Sequence, residues 1–351
     1  MMDWMGDIRV PLHMMKAVAP IRVCDNGGWT DTWFAGHGKV FNIGVYPCVE
    51  VQVKVHPISA LAERIVLDAE NYGDTYAFEP GALPNRHPLL EAAIDDIGLP
   101  DDISVQINVF SEVPAGCSTG TSAAATVALI GALDALTPGT MTPHEVAYAA
   151  HRIEVDRLKT QSGIQDQLCA AYGGINYIEM FSYPHALVSQ LALPNTVWWE
   201  LEQRLVLVFL GRTHVSSEVH DQVIAGLASE GEGSPHLDEL RQAAEQARDA
   251  VVAADFAALG RAMTENTDAQ RRLHTSLVSE EAQAAIEVAA ANGAIGWKVN
   301  GAGGRGGSIT LLCGPDMPAK RQLLRALRQE DPLFEVIPTH LSQHGLRVWH
   351  T

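Results

Sequence analysis

Residues 112–125, EVPAGCSTGTSAAA, bring together two glycines (Gly116, Gly120) and four hydroxyls (Ser118, Thr119, Thr121, Ser122), with no acid after Glu112. Ile103, Val105, Ile107 and Val109 alternate with polar neighbours and predict a strand leading in, while the largely apolar run 126–136 predicts a helix leading out. Strand, small-residue loop and helix is the order that makes an anion site. Glycines let backbone approach closely, and the unpaired N–H groups of a helix start point at negative charge. The same residues also suit a tight turn that lets a helix pack close, so the loop alone leaves both readings open.

A second glycine run, NGAGGRGG at 300–307, contains G-x-G-x-x-G at Gly301, Gly303 and Gly306. As a dinucleotide fingerprint it should open a helix in an early βαβ unit, but the strand-like SITLLC follows it near the end of the chain. No G-x-x-x-x-G-K-[ST] occurs anywhere, which removes the Walker-type loop. Among the acids between the glycine runs, two matter here. Glu154 falls beside the apolar face (Val146, Ala150, Ile153) of a helix opened by Thr142-Pro143. Asp166 falls in the first turn of the next helix, where the dipole favours its ionised form; Ser162 and Gln165 form an S-x-x-Q capping-box pair there, and Gly173-Gly174 ends the helix.

The elements that must position these residues are legible at low resolution. Strands are expected at 18–23, 40–45, 49–55, 64–67 and 75–78, with a break at Tyr46-Pro47, followed by a helix over 88–97 ending at Gly98. After a strand at 175–180 the character changes. Residues 182–194 read as a connector, residues 217–273 as a long helical region, and strands at 205–210, 309–313, 334–337 and 346–349 alternate with helices, among them 280–291. This is an α+β layout with a boundary near 185–200.

With 351 residues, 47% hydrophobic and 19% charged, the chain suits two well-cored domains. A net charge of −18 argues against wrapping nucleic acid or an anionic membrane, and no run reaches the length of a membrane span. The five cysteines form no C-x-x-C pair, which fits buried, reduced thiols and a cytoplasmic location.

Two glycine loops, two carboxylates and no Walker lysine resemble the GHMP kinases. Pro114–Ala124 is similar to the family's P-x-x-x-G-L-G-S-S-A-A motif, with Ser118 replacing a glycine, Thr119 a leucine and Thr121 a serine. APIRVCDNGGWTDTW (19–33) resembles the first motif of the sugar branch, its GGWTDT core that of fucokinases. SGIQDQLCAAYGGINYIEM (162–180) resembles segments of galactokinases and heptose-phosphate kinases, and GWKVNGAGGRGG (296–307) the third motif.

The resemblance implies a two-domain GHMP kinase fold: a tail over 1–17, a ribosomal-protein-S5-like N-terminal domain over 18–190, and a ferredoxin-like C-terminal domain over 191–351. It implies ATP and Mg²⁺ as cofactors. Asp166 takes the catalytic position and Arg22 the place that pairs with it. Pro114, Gly116, Cys117, Ser118, Thr119, Gly120, Thr121, Ser122 and Ala123 would hold ATP phosphates, with Ser122 and Glu154 on the metal. Asp31 would accept a sugar hydroxyl, and Gly28, Trp29, Thr30, Gln165, Gly174, Gly303 and Gly304 would line the substrate side. Trp29 suits a sugar face and a core position equally, and Arg305 could touch a phosphate or project outward.

The implied activity is phosphorylation of a sugar or sugar phosphate, at the anomeric hydroxyl, by a monomer or homodimer. Alternatives are a kinase of a cyclitol or of another sugar-phosphate hydroxyl, for which Lys298 and Arg305 would be the basic contacts, and a non-catalytic ATP- and sugar-binding sensor.

Overall fold

The computed structural model describes residues 11–212, 223–225 and 233–351. Part of the expected helical region at 217–273 therefore lies outside the described residues. What is described there is two helices, Pro235–Val252 and Phe256–Leu273, separated where Asp255 caps the second by accepting from Ala258 N–H.

The first sheet is built on β1 (His13–Asn26) and β2 (Gly38–Pro57), paired antiparallel along most of their length. Residues 13–17, expected in the tail, thus belong to the sheet. The two strands expected at 40–45 and 49–55 are one strand that continues through Tyr46-Pro47. Its second half follows the predicted alternation: Val49, Val51, Val53 and Val55 are buried, while Glu50 is exposed and Gln52 and Lys54 half-buried. β3 (Ile65–Ala69), β4 (Asp74–Ala77), β5 (Ile103–Ser111) and β13 (Arg347–His350) extend the sheet to give the order β13-β1-β2-β5-β3-β4.

Helix α1 (Pro88–Ile97) matches its predicted bounds. Helix α2 (Thr121–Asp134) is apolar nearly all round because it lies inside the first domain. It packs on β1 and β2 and against α1, α3 (Pro143–Arg152) and α4 (Gln165–Tyr172). α3 opens with the capping box of Thr142 and Glu145 and ends in a π-turn over Ile153–Arg157.

Two further expectations change. The connector at 182–194 contains β7 (His185–Gln190), an exposed edge strand hairpinned to β6 (Ile175–Ser182); its mostly exposed residues hide it from pattern reading. The strand near 346–349 is β13 (Arg347–His350), and it joins the first sheet, pairing with β1, rather than the second. β12 (His340–Leu341) likewise pairs with β2. The second sheet is antiparallel in the order β11-β8-β10-β9, from Glu335–Ile337, Leu205–Phe209, Ser308–Cys313 and Ala294–Val299. It covers helices Glu280–Ala291 and Met317–Glu330 with a separate core. All five cysteines are buried and unbridged, and no described helix is long and apolar enough to cross a membrane.

Candidate active site

Residues 112–125 behave as strand, loop and helix. Gly120, in the left-handed conformation (φ 71), is the N-cap of α2, and neither a side-chain cap nor an acid occupies the first turn. The α2 N-terminus therefore presents uncapped N–H groups and the positive end of its dipole. Ser118, which stands where the family motif has glycine, also takes a left-handed φ of 59. The loop thus keeps its path at the cost of about 1–2 kcal/mol of strain. A Cβ on Gly120 would come within 3.1 Å of the Asp166 carboxyl carbon, so loop backbone and acid are in direct apposition.

Asp166, in the first turn of α4, accepts from Arg22 Nε at 2.8 Å and Nη2 at 3.2 Å, a bidentate pair. Arg22 Nη1 donates to the Ser118 carbonyl, and the Arg22 backbone N–H donates to the Thr119 carbonyl at 2.9 Å. Burial alone would lower the Arg22 pKa, but Asp166 and then Asp25 outweigh it, so the guanidinium stays charged. Asp166 itself is 28% exposed and opens into a cavity of about 770 Å³, within the range of small-molecule sites.

Glu154 reaches this cavity from the π-turn and is half-buried. Its Oε2 accepts from Gln167 Nε2 at 2.7 Å. Burial, reinforced by Asp166, raises its pKa to about 7. A carboxylate so starved of positive charge, lining the same cavity as the exposed Ser122 hydroxyl, offers the oxygen donors that a hard cation such as Mg²⁺ takes.

The capping box expected from Ser162 and Gln165 does not form. Ser162 Oγ donates to the Gly163 carbonyl, and the α4 start is capped from a distance, Gln165 N–H donating to Asp31 Oδ2 at 2.9 Å. Asp31 is 3% exposed, and burial raises its pKa to about 6, with Asp166 adding and the Gln165 bond opposing.

The cavity wall includes Arg22, Trp29, Asp31, Glu154, Gln165, Asp166 and the loop residues Gly116, Cys117, Ser118, Thr119, Gly120, Thr121 and Ser122. Pro114, Ala123, Gly28, Thr30, Gly174, Gly303 and Gly304 stand outside it. Pro114 serves the turn, its carbonyl accepting from Cys117 N–H, and Ala123 is buried in the helix. Gly28 lies behind Asp25, and Thr30 Oγ1 is spent on the Gly27 carbonyl at 2.7 Å. Gly174 N–H donates to the Ser342 carbonyl, docking the returning C-terminal segment. Gly303 packs on Leu277, whose carbonyl a Cβ would approach to 2.1 Å, and Gly304 N–H donates to that carbonyl.

Trp29 takes the core position, 5% exposed in an apolar cluster with Phe34, Leu240 and Leu273, and is also among the residues lining the cavity. Arg305 points outward, 77% exposed, 3.8 Å from Glu281. Lys298, the other candidate basic contact, is fully buried against Asp25 at 3.1 Å and does not line the cavity.

Sequence reasoning missed the far half of the cavity, formed by Asn71, Tyr72, Arg86, His87 and Phe110, which carry no motif. It also missed Asp25, an acid beside Arg22 in a segment of otherwise buried residues, which was the available signal.

An uncapped glycine-loop helix start, an arginine-paired aspartate and a half-buried glutamate thus line one cavity. Residues 88–174 match the family model for the GHMP kinases N terminal domain, and residues 247–332 the model for the GHMP kinases C terminal. The chain belongs to the GHMP kinases and has their two-domain fold. It is similar to a D-glycero-alpha-D-manno-heptose 7-phosphate kinase of Campylobacter jejuni, 26% identical over 247 residues covering 70% of this chain and 71% of that protein. It is also similar to a bifunctional fucokinase/GDP-fucose pyrophosphorylase of Arabidopsis thaliana, 25% identical over 92% of this chain but only 32% of that longer protein. The crystal structure of a D-glycero-D-manno-heptose 1-phosphate kinase from Bacteroides thetaiotaomicron shares the fold, with a TM-score of 0.72 at 22% identity over 95% of this chain and 98% of that one. As a GHMP kinase the protein is a phosphotransferase with an alcohol acceptor, and ATP is its phosphate donor.

Proposed function

We propose that the protein transfers the γ-phosphoryl group of ATP to a sugar or sugar phosphate, at the anomeric hydroxyl. The observation that carries this is the bidentate Arg22–Asp166 pair set directly against the loop at the α2 N-terminus. The uncapped N–H groups of α2 would receive the phosphates, and the aromatic and apolar far wall (Tyr72, His87, Phe110) offers a surface for the base.

In the transfer, the acceptor oxygen bonds to the γ-phosphorus, the bond from that phosphorus to the bridging oxygen breaks, and ADP leaves. Asp166 is placed to take or orient the acceptor proton, and Arg22 to offset the charge that develops. Ser122 and Glu154 are the residues that would hold Mg²⁺, which when bound neutralises phosphate charge. Asp31 and Gln165 stand on the acceptor side as polar groups fixed in place by their mutual bond. The anomeric position is what the resemblance to the sugar-kinase branch implies, and the heptose-phosphate kinase and fucokinase relatives support a sugar acceptor.

An ADP-release screen with L-fucose, D-galactose, D-mannose, heptoses and their phosphates is expected to give turnover with one of them. Product NMR should then show phosphorus coupled to H1. Turnover only with an acyclic alcohol such as mevalonate would overturn the sugar acceptor, and phosphate on another carbon would overturn the anomeric assignment.

A further inference from the structure

Asp25 is a buried acid outside the roles given above whose partners converge from both sheets. Its side chain is fully buried, and it accepts from Lys298 Nζ at 3.1 Å, from Gly301 N–H at 3.0 and 3.2 Å, and from Gln165 Nε2 at 3.3 Å. Arg22 Nη2 stands 3.9 Å away. Asp25 sits where β1 loses register with β2, between Val23 and Asn26, and the preceding Cys24 is in the left-handed region (φ 57) with its N–H given to Asn300 Oδ1 at 3.1 Å. The backbone is thus bent out of the strand at this point, and the bend delivers a carboxylate into the space behind Arg22.

The partners come from three places: Arg22 from the first sheet, Gln165 from the helix that carries Asp166, and Lys298 and Gly301 from the strand and glycine loop of the second sheet. Gly301 in turn presses on the first loop, since a Cβ there would lie 2.9 Å from the Ser118 carbonyl and 3.1 Å from Arg22 Nη2. Arg22 is therefore confined from both sides, by Asp166 and the Ser118 carbonyl in front and by Asp25 and Gly301 behind.

We propose that Asp25 is a positioning residue for the transfer: it fixes the Arg22 guanidinium against Asp166 and docks the second glycine loop, through Lys298 and Gly301, onto the first. This rests on the reading of Arg22 and Asp166 as the reacting pair. Asp25 is among the residues around the cavity, but its side chain is fully buried and its oxygens are engaged by Lys298, Gly301 and Gln165, so it is not offered to substrate. It works through Arg22, and it also compensates the otherwise lone buried charge of Lys298. Simple ionic glue would perform only the second task, and the two tasks are separable, because a buried ion pair can be replaced by apolar residues of similar volume without loss of stability.

The test compares Asp25→Asn with the double variant Asp25→Leu/Lys298→Met. The single variant is expected to lose several degrees of Tm and, from misplacement of the reacting pair, about 30- to 100-fold in kcat with ATP KM within about threefold. The double variant should regain the Tm and keep the kcat loss. An acceptor-independent readout is the Arg22 Nε–H resonance, assigned by its disappearance in Arg22→Lys, which should shift in both variants. Should the single variant not fold, the double variant decides alone. Recovery of kcat in the double variant, or an Arg22 resonance unmoved in it, would overturn the proposal. If the wild-type enzyme turns over none of the sugars screened, the acceptor assignment fails while the resonance still decides on Asp25.

Discussion

The two glycine-rich loops look alike in sequence and do opposite work. The first runs into a helix, leaves that helix uncapped, and places Ser118, Gly120 and Ser122 on the cavity. The second runs into β10, and two of its glycines press on Leu277; only Gly301 and Ala302 reach the cavity. Glycine content shows that backbone must come close to something. Whether that something is a ligand or more protein is decided by the element that follows, because a helix start has free N–H groups to offer and a strand start pairs its own.

If this contrast is right, the largest effect belongs to the acid that faces the first loop. Asp166→Asn is expected to lower kcat about 10³-fold with nucleotide affinity retained, measured by steady-state kinetics beside ATP titration. Near-normal turnover would remove Asp166 from the chemistry. Next comes a matched pair of substitutions. Gly120→Ala would drive a methyl toward the Asp166 carboxylate and should cost about 10- to 100-fold in kcat, whereas Gly303→Ala would collide with the Leu277 backbone and should lower Tm while leaving kcat of the folded enzyme within about threefold. Equal kcat losses would dissolve the distinction between the loops.

A smaller effect concerns Glu154. Its carboxyl is raised from 4.5 to about 7 in the folded protein, so the stability it contributes is fully present below about pH 4.5 and is lost as pH rises through 7. Ligand-free Tm should decline over that window, and the Mg²⁺ concentration for half-maximal activity should fall over the same window as the carboxylate ionises. Glu154→Gln should raise the Mg²⁺ requirement and flatten both trends, and an unchanged Mg²⁺ titration would count against the metal role. The smallest effect is Arg305→Ala, expected to change kcat/KM less than about twofold, since an exposed pair is worth little.

What the sequence made legible was local. The first loop, α1, α2 and the Thr142 cap follow from spacing and residue type within a dozen positions, whereas the acids at 154 and 166 are singled out by the family resemblance. What it hid depends on distant partners. Asp31 reads as a substrate contact, but it also caps α4 across more than a hundred residues, displacing the Ser162 cap that local grammar favours. Lys298 reads as a free base until its partner Asp25 is seen. β7 carries no clean alternation because it is a mostly exposed edge strand with only Ala186 buried and Leu187 facing out, and the aromatic wall at 72, 87 and 110 is made of ordinary residues brought together from a turn, the start of α1 and β5.

The pairing of β13 with β1 sets Met15 opposite His350, with the whole second sheet threaded between them. During synthesis β1 must therefore wait, one edge unpaired, until residues 347–350 have left the ribosome. Such distant closure favours slow assembly and a window of vulnerability to aggregation. A fragment cut at residue 190 would lack both β12 and β13 and would leave that edge of β1 open.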